Sequence, residues 1–275
     1  RSTLFPYTTL FRSGTYTIMR EGESMNSIYG YDYVGVNNEN GYPIYKKADG
    51  SMVQFKLFPE FDEDPGEYTW ATYDPANPSD VSKIDNLSAT NDRKVLGNAI
   101  PTWFGGWNNT FTYKNFDATV FIRFSGGNKI YNRTRQDDLL NMAFSNNGTE
   151  ILGRWQSKDK PGDGVTPMVG IGDDIALNFQ GSATSRFVEN GSYLKLSTLS
   201  IGYTLPKEVV KKLDVSNIRF YLSGQNLLTL TKYKGLDPEL FTDHSTTTDF
   251  MGAFGIDAGG KAQQRVFPFG VNIGF

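Results

Sequence analysis

Apolar and polar residues alternate with a period of two over several long stretches of this chain, the pattern of strands with one apolar face. In 264–275, "QRVFPFGVNIGF", one phase holds Arg265, Phe267, Phe269, Val271, Ile273 and Phe275. The other holds Gln264, Val266, Pro268, Gly270, Asn272 and Gly274. In 115–125, Phe116, Ala118, Val120, Ile122 and Phe124 oppose Asp117, Thr119, Phe121, Arg123 and Ser125. In 217–230, Ile218, Phe220, Leu222, Leu228 and Leu230 share a side that Gly224 and Asn226 interrupt. Two stretches are less regular. In 103–113, Trp103, Trp107, Phe111 and Tyr113 fall together, while Phe104 stands alone on the polar side. In 193–205, Leu194 and Leu196 take one phase and Leu199, Ile201 and Tyr203 the other, so a bulge is expected near Ser197 and Thr198. Tyr29, Tyr31 and Tyr33 mark one more strand. The pattern predicts an all-β chain of about six antiparallel strands.

Strand length and loop length carry the reading further. Most of these segments run to about ten residues, against a globular mode of about five or six. At a tilt of about 45°, some nine to eleven residues cross a bilayer's hydrocarbon core. "YKNF" makes one tight connection, and "TLPKEVVKKLDVSN" makes another through a Pro-initiated helical turn. Long polar loops are expected over 37–98, 127–185 and 232–263. Structureless loops beyond about 15 residues are uncommon in compact soluble domains. Short turns at one end and long loops at the other suit a transmembrane β-barrel. A soluble β-sandwich also alternates. Three features favour the membrane: a face rich in Gly, Asn, Thr and Ser, aromatics near strand ends (Trp103, Tyr113, Tyr203, Tyr233), and a last strand closing on Phe275.

Composition removes several classes. The 275 residues include no Cys and a single His, with a formal net charge of −3. Disulfides and thiol chemistry are therefore out. Charges of both signs are interspersed, so a nucleic-acid partner is not expected. No apolar run reaches the roughly 20 residues of a membrane helix, and a low mean hydropathy is compatible with strands that hide one face by alternation. Residues 1–13 stand apart. From Thr3 to Ser13 they back-translate codon by codon into a widely used short-read sequencing adapter, and Arg1–Ser2 repeats its closing Arg-Ser. They lack a Met start and the apolar core of a signal peptide. We expect 1–13 to be an artefact and 14–275 to be one barrel segment.

Candidate chemistry is sparse. His244 lies in the polar loop "FTDHSTTTDF" and reads as a solvated loop histidine. Asp62, Glu63, Asp64 and Glu67 read as a charged surface loop. "GGNKI" and "GDGVTP" lack the Lys-Ser/Thr ending and helix of a phosphate loop. "PKEVVKKL" reads as a strand connector, with a docking element as the alternative. Trp70, Tyr73 and Trp155 fall in expected outer loops, where they could stack on a ligand, meet a partner lid or pack the loops. No catalytic residue, metal site or cofactor is expected, and the chain reads as a non-enzyme.

The phrases at 191–206 ("GSYLKLSTLSIGYTLP"), 218–239 ("IRFYLSGQNLLTLTKYKGLDPE") and 265–275 ("RVFPFGVNIGF") resemble the C-terminal end of SusC/RagA-type TonB-dependent outer-membrane transporters of Bacteroidota. Residues 92–132 resemble that family's preceding strands, and the likeness runs from about Ser24. One departure is that "NPSDVSKIDNLSATNDRK" replaces a D-x-N-G-D-G-like loop, so a calcium site is not expected there. The resemblance implies the C-terminal portion of a plugged barrel of about 22 strands in the outer membrane. It implies uptake of oligosaccharides or peptides, a SusD-like surface lipoprotein as lid, and a TonB complex engaged through upstream segments. It also implies that Phe267, Phe269, Val271, Ile273 and Phe275 form the ending read by the barrel-insertion machinery. With Phe275 at the periplasmic side, the tight turns face the periplasm and the long loops face outside. A soluble carbohydrate-binding module and a barrel without import function are the alternatives.

Overall fold

Five of the six expected strands join in one antiparallel sheet. The computed structural model describes residues 12–13, 15–56, 69–142, 146–170, 179, 181–239 and 254–275. Within these, β1 (Trp103–Tyr113), β2 (Phe116–Gly126), β3 (Tyr193–Thr204), β4 (Asn217–Thr231) and β5 (Phe269–Gly274) pair as neighbours in chain order. The first four hold 11, 11, 12 and 15 residues, each enough to cross a hydrocarbon core. Lys114 and Asn115 alone join β1 to β2, with Lys114 in the left-handed region at φ 53°. Pro206 caps a helical turn, Lys207–Val210, that carries the chain from β3 towards β4. β5 begins after Pro268, which has no N–H for the ladder. The carbonyls of Pro268 and Val266 still accept from Ser223 and Gln225, each at 2.8 Å, so pairing extends past the strand's formal start.

The register confirms the phase reading. Phe121 pairs with Thr198 and Ile122 with Leu196, which leaves Ser197 as the extra residue of a bulge. That bulge returns Leu194 and Leu196 to the face of Leu199, Ile201 and Tyr203. β4 answers with an irregularity of its own at the same level, where Asn226 takes φ 53°.

This sheet belongs to a unit made of residues 101–128, 190–239 and 260–275. A second unit comprises 1–100, 129–189 and 240–259. The alternation at Tyr29, Tyr31 and Tyr33 falls there, in the short strands Ser27–Gly30 and Asp32–Val36. Tyr29 and Tyr31 are buried, so this sixth strand is part of a water-excluding core and not of the five-stranded sheet. Alternation alone cannot separate the two settings.

The described parts of the stretches expected as long polar loops include several short strands. Asp32–Val36, Pro43–Lys46, Met52–Lys56 and Thr69–Thr72 form a four-stranded antiparallel sheet. Val188–Asn190, Lys129–Asn132 and Ile256–Asp257 form another sheet of three strands. A core of Ile28, Phe55, Tyr131, Leu140, Met142 and Phe187 binds the unit. Beside it Tyr31, Tyr45 and Val53 make a second cluster. The buried Gln54 side chain is satisfied, as burial demands: the Asn37 and Asn40 amides donate to its Oε1 at 2.7 and 3.1 Å, and it donates to the Asp80 carbonyl. Short strands, packed together only by the fold, explain why periodicity marked no more of this unit than the stretch at Tyr29, Tyr31 and Tyr33. Arg12–Ser13 pair with Ile18 and Met19 at its edge.

Candidate functional site

Residues paired directly across an antiparallel ladder point to the same side, so the register assigns the two faces of the sheet. One row runs Tyr113, Phe116, Tyr203, Phe220, Val271. The next runs Phe111, Ala118, Ile201, Leu222, Phe269. Further rows bring Trp107, Ile122, Leu196 and Leu228 together, then Phe124, Leu194 and Leu230. Between these two pairs of rows a row of Asn109, Val120, Leu199 and Gly224 carries one polar side chain, and the named rows on either side of it are apolar throughout. The face is also uncovered: Phe111, Leu222 and Phe269 are 57%, 55% and 69% exposed. Each large apolar side chain left in water forgoes about 1.5–3 kcal/mol of burial, and contiguous patches of this kind mark interaction surfaces.

The opposite face is polar. Thr110, Thr119, Ser200 and Ser223 form one hydroxyl row. Near the tight turns Arg219 grips Asp117, Nε to Oδ1 at 3.0 Å and Nη2 to Oδ2 at 2.5 Å. The pair reaches across Gly202, where an added Cβ would collide with both the guanidinium and the carboxylate. Only glycine leaves that path open.

At the other end lies a charged cluster that sequence reasoning missed. Lys195 is fully buried, and its ammonium donates to both oxygens of Asp237 at 3.1 Å and to Glu239 Oε2 at 2.8 Å. Arg123 adds a second cation on Glu239 at 2.9 Å, while its Nε donates to the bulge residue Ser197. Tyr193 donates its hydroxyl to Glu239 as well. Burial alone would raise the Glu239 carboxyl, but the Lys195 hydrogen bond and charge, with Arg123, hold it below its ordinary range. The cluster fastens the segment after β4 to the sheet. A lysine inside an otherwise uncharged strand, followed by "DPE", was the available signal.

The expected site residues divide. Phe269, Val271 and Ile273 sit in the apolar rows opposite Leu222, Phe220 and Ile218. Phe267 is exposed ahead of β5, and Phe275 lies past the last pair at 97% exposure. The register therefore puts Phe269, Val271 and Ile273 of the ending on the apolar face. Trp70, Tyr73 and Trp155 lie in the other unit. Trp70 is built into an aromatic cluster, with ring centroids 5.4 Å from Tyr45, 5.6 Å from Phe55 and 5.4 Å from Phe179. Trp155 donates its indole N–H to the Asn38 carbonyl at 2.9 Å and packs on the Gly41 turn. Tyr73 is half-buried, its backbone N–H bonded to the Met52 carbonyl. Trp70 and Trp155 are thus engaged by packing within their own unit. His244 and the acidic run at 62–67 lie outside the described residues. Among the described residues no three His, Cys, Asp or Glu side chains converge as metal ligands, and Asp92 of the variant loop is engaged by the Ser88 and Ala48 amides.

A sheet of strands this long, polar on one side and bare apolar on the other, is the wall of a large β-barrel of the outer-membrane type. Comparison with known proteins agrees. No family model matches the chain. The chain is 33% identical over 258 residues to TonB-dependent receptor P3 of Formosa agariphila, an overlap covering 94% of this chain and 23% of that protein. It is 25% identical over 181 residues to the TonB-dependent receptor SusC of Bacteroides thetaiotaomicron, covering 62% of this chain and 15% of SusC. Among solved structures it is similar to the RagAB peptide importer in its closed-closed state, with a TM-score of 0.67 at 20% identity, over 98% of this chain and 25% of that one. The open-open state gives 0.66. The chain belongs to the SusC/RagA-type TonB-dependent receptors. It spans no more than about a quarter of the length of these relatives.

Proposed function

We propose that this chain forms five strands of the wall of an outer-membrane, TonB-dependent nutrient importer, and that the whole protein takes up oligosaccharides or peptides together with a SusD-like surface lipoprotein. The observation that carries the reading is the uncovered apolar face, continuous across all five strands and backed by a polar face that suits a wet lumen. Strands β1 and β5 are the edges of this sheet, and hydrocarbon does not tolerate unpaired edges. The rest of the barrel supplies their partners. In this reading the tight connections at 114–115 and 205–216 face the periplasm. The long connections then face outside, where a lid would meet them.

Fractionation of the full-length protein tests the wall: it should stay with membranes in carbonate and need detergent for release. Recovery in the soluble fraction would sink the reading. Uptake by a deletion strain, measured for labelled oligosaccharides and for peptides, tests import. A tagged receptor should bring down a surface lipoprotein. The ending Phe267–Phe275 is proposed as the signal for barrel insertion. Deleting Phe275 should leave protease-sensitive periplasmic protein; a normally inserted, normally heat-resistant barrel would contradict that role.

A further inference from the structure

The apolar face is not uniform. At the end away from the tight turns, where β1 and β3 begin and β2 and β4 end, it hollows into an open groove of about 520 Å³. Trp103, Phe124, Leu194 and Leu230 form its floor. The Trp103 and Phe124 rings lie tilted at 43° with centroids 6.2 Å apart. The rim changes character abruptly, with Asn190, Ser192 and Lys232 standing over that apolar floor. Among the described residues Lys232 makes no ion pair, and it is exposed. The backbone around it is already committed: Thr231 donates its hydroxyl to the Ser192 carbonyl at 2.9 Å, and Ser192 Oγ accepts from the Gly127 amide. These bonds fix the rim and leave the Ser192 hydroxyl proton and the Lys232 ammonium to face a ligand.

We propose that this groove holds one acyl chain of an anionic, phosphate-bearing lipid of the outer leaflet, with its phosphate on Lys232 and the neighbouring Ser192 and Asn190 donors. Three features select this occupant over bulk hydrocarbon. The groove is continuous with the apolar rows of the wall, so a chain enters it from the bilayer without crossing water. Its single cation lies at the rim and not on the floor, at the level where headgroups sit. The rim donors match phosphate oxygens in kind, whereas a zwitterionic headgroup would bring its own cation against Lys232. The inference rests on the outer-membrane reading, because a wall with its long connections outside puts this end at the outer leaflet.

The test uses the full-length receptor, purified in detergent, stripped of lipid and examined by native mass spectrometry during titration with dioleoylphosphatidylglycerol, dioleoylphosphatidylcholine or inorganic phosphate. One phosphatidylglycerol should be retained in preference to phosphatidylcholine. Lys232→Gln should weaken that preference about fivefold, the worth of one cation near an anionic lipid surface. Lys212→Gln, on the connection at the opposite end, should leave it unchanged. Ser192→Trp, which fills the groove, should reduce retention of either lipid there. Equal retention of both lipids by wild type, or a preference that Lys232→Gln does not alter, would overturn the proposal. Competition by inorganic phosphate as strong as by the lipid would overturn it too, by reducing the site to an anion pocket. Failure of the receptor to enter membranes at all would instead overturn the underlying outer-membrane reading, and fractionation run alongside reports that separately.

Discussion

The two units of this chain bury opposite things. In the unit built from the long connections, the largest fully buried side chains are Tyr45, Phe55, Tyr131 and Phe187, packed as a water-excluding core is packed. In the sheet unit, the deepest large side chain is Lys195, and the described buried hydrophobics are Val210 and Tyr233. Its phenylalanines and leucines are outside. One chain therefore follows two rules, because its segments face two solvents. Where water surrounds a unit, apolar groups go in. Where hydrocarbon lies on one side and water on the other, apolar groups go out, and the polar side supplies whatever interior there is.

Substitutions at the two interiors press the contrast hardest. Lys195→Ala leaves Asp237 without its cation and should cost about 3–5 kcal/mol, as breaking a buried ion pair does. Phe55→Ala should cost about as much, about 3–5 kcal/mol, by leaving a cavity in an apolar core. Thermal unfolding of the full-length receptor in detergent reads both. An inert Lys195→Ala would mean that the cluster adds nothing to the wall.

The faces come next. Leu222→Arg should cost about 2–4 kcal/mol near the bilayer midplane. Ser223→Arg, one residue on and facing the polar side, should cost much less. Folding yield into vesicles of defined thickness measures the difference, and equal losses would break the assignment of faces. Gly202→Ala sharpens the account of the polar face: a methyl in the path of the Asp117–Arg219 pair should cost about 1–3 kcal/mol by overpacking. Asp117→Ala in the same background should recover part of that loss.

The smallest effect is a pH dependence. The Glu239 carboxyl is held below its ordinary range in the folded state. A depressed carboxyl contributes stability above the unfolded value of about 4.3, and that contribution fades as pH falls through the folded value. Melting temperature should therefore drop on acidification below about pH 4.3, and Glu239→Gln should flatten that limb. An unchanged limb in the variant would assign the acid sensitivity elsewhere.

What the sequence disclosed follows from these physics. The wall was legible because one face meets a single apolar medium along every strand, so period two survives over ten residues and more. Even the bulge showed, since an extra residue at Ser197 reverses the phase of every residue beyond it. The other unit was not legible as a fold. Its described strands are two to five residues long, and its core is assembled from Tyr16, Phe55, Tyr131 and Phe187, which only the fold brings together. Tyr29, Tyr31 and Tyr33 alternate as a wall strand would, yet two of them are buried. Trp70 read as a loop aromatic with ligand, lid and packing roles all open, and it is half-buried against the core with three ring partners. Lys195 could have been flagged as a charge within a strand, but its carboxylates lie 42 and 44 residues on.

The central claim is that hydrocarbon covers one face of the sheet. The chain contains no cysteine, so single cysteines introduced from 117 to 125 in the full-length receptor, freed of any others, can each carry a nitroxide in lipid vesicles. Collision with oxygen, which concentrates in hydrocarbon, is then compared with collision with a water-soluble nickel chelate. Positions 118, 120, 122 and 124 should be oxygen-accessible and nickel-protected, with 117, 119, 121, 123 and 125 reversed or protected from both. A profile without that alternation, or with nickel reaching the even positions, would contradict the account.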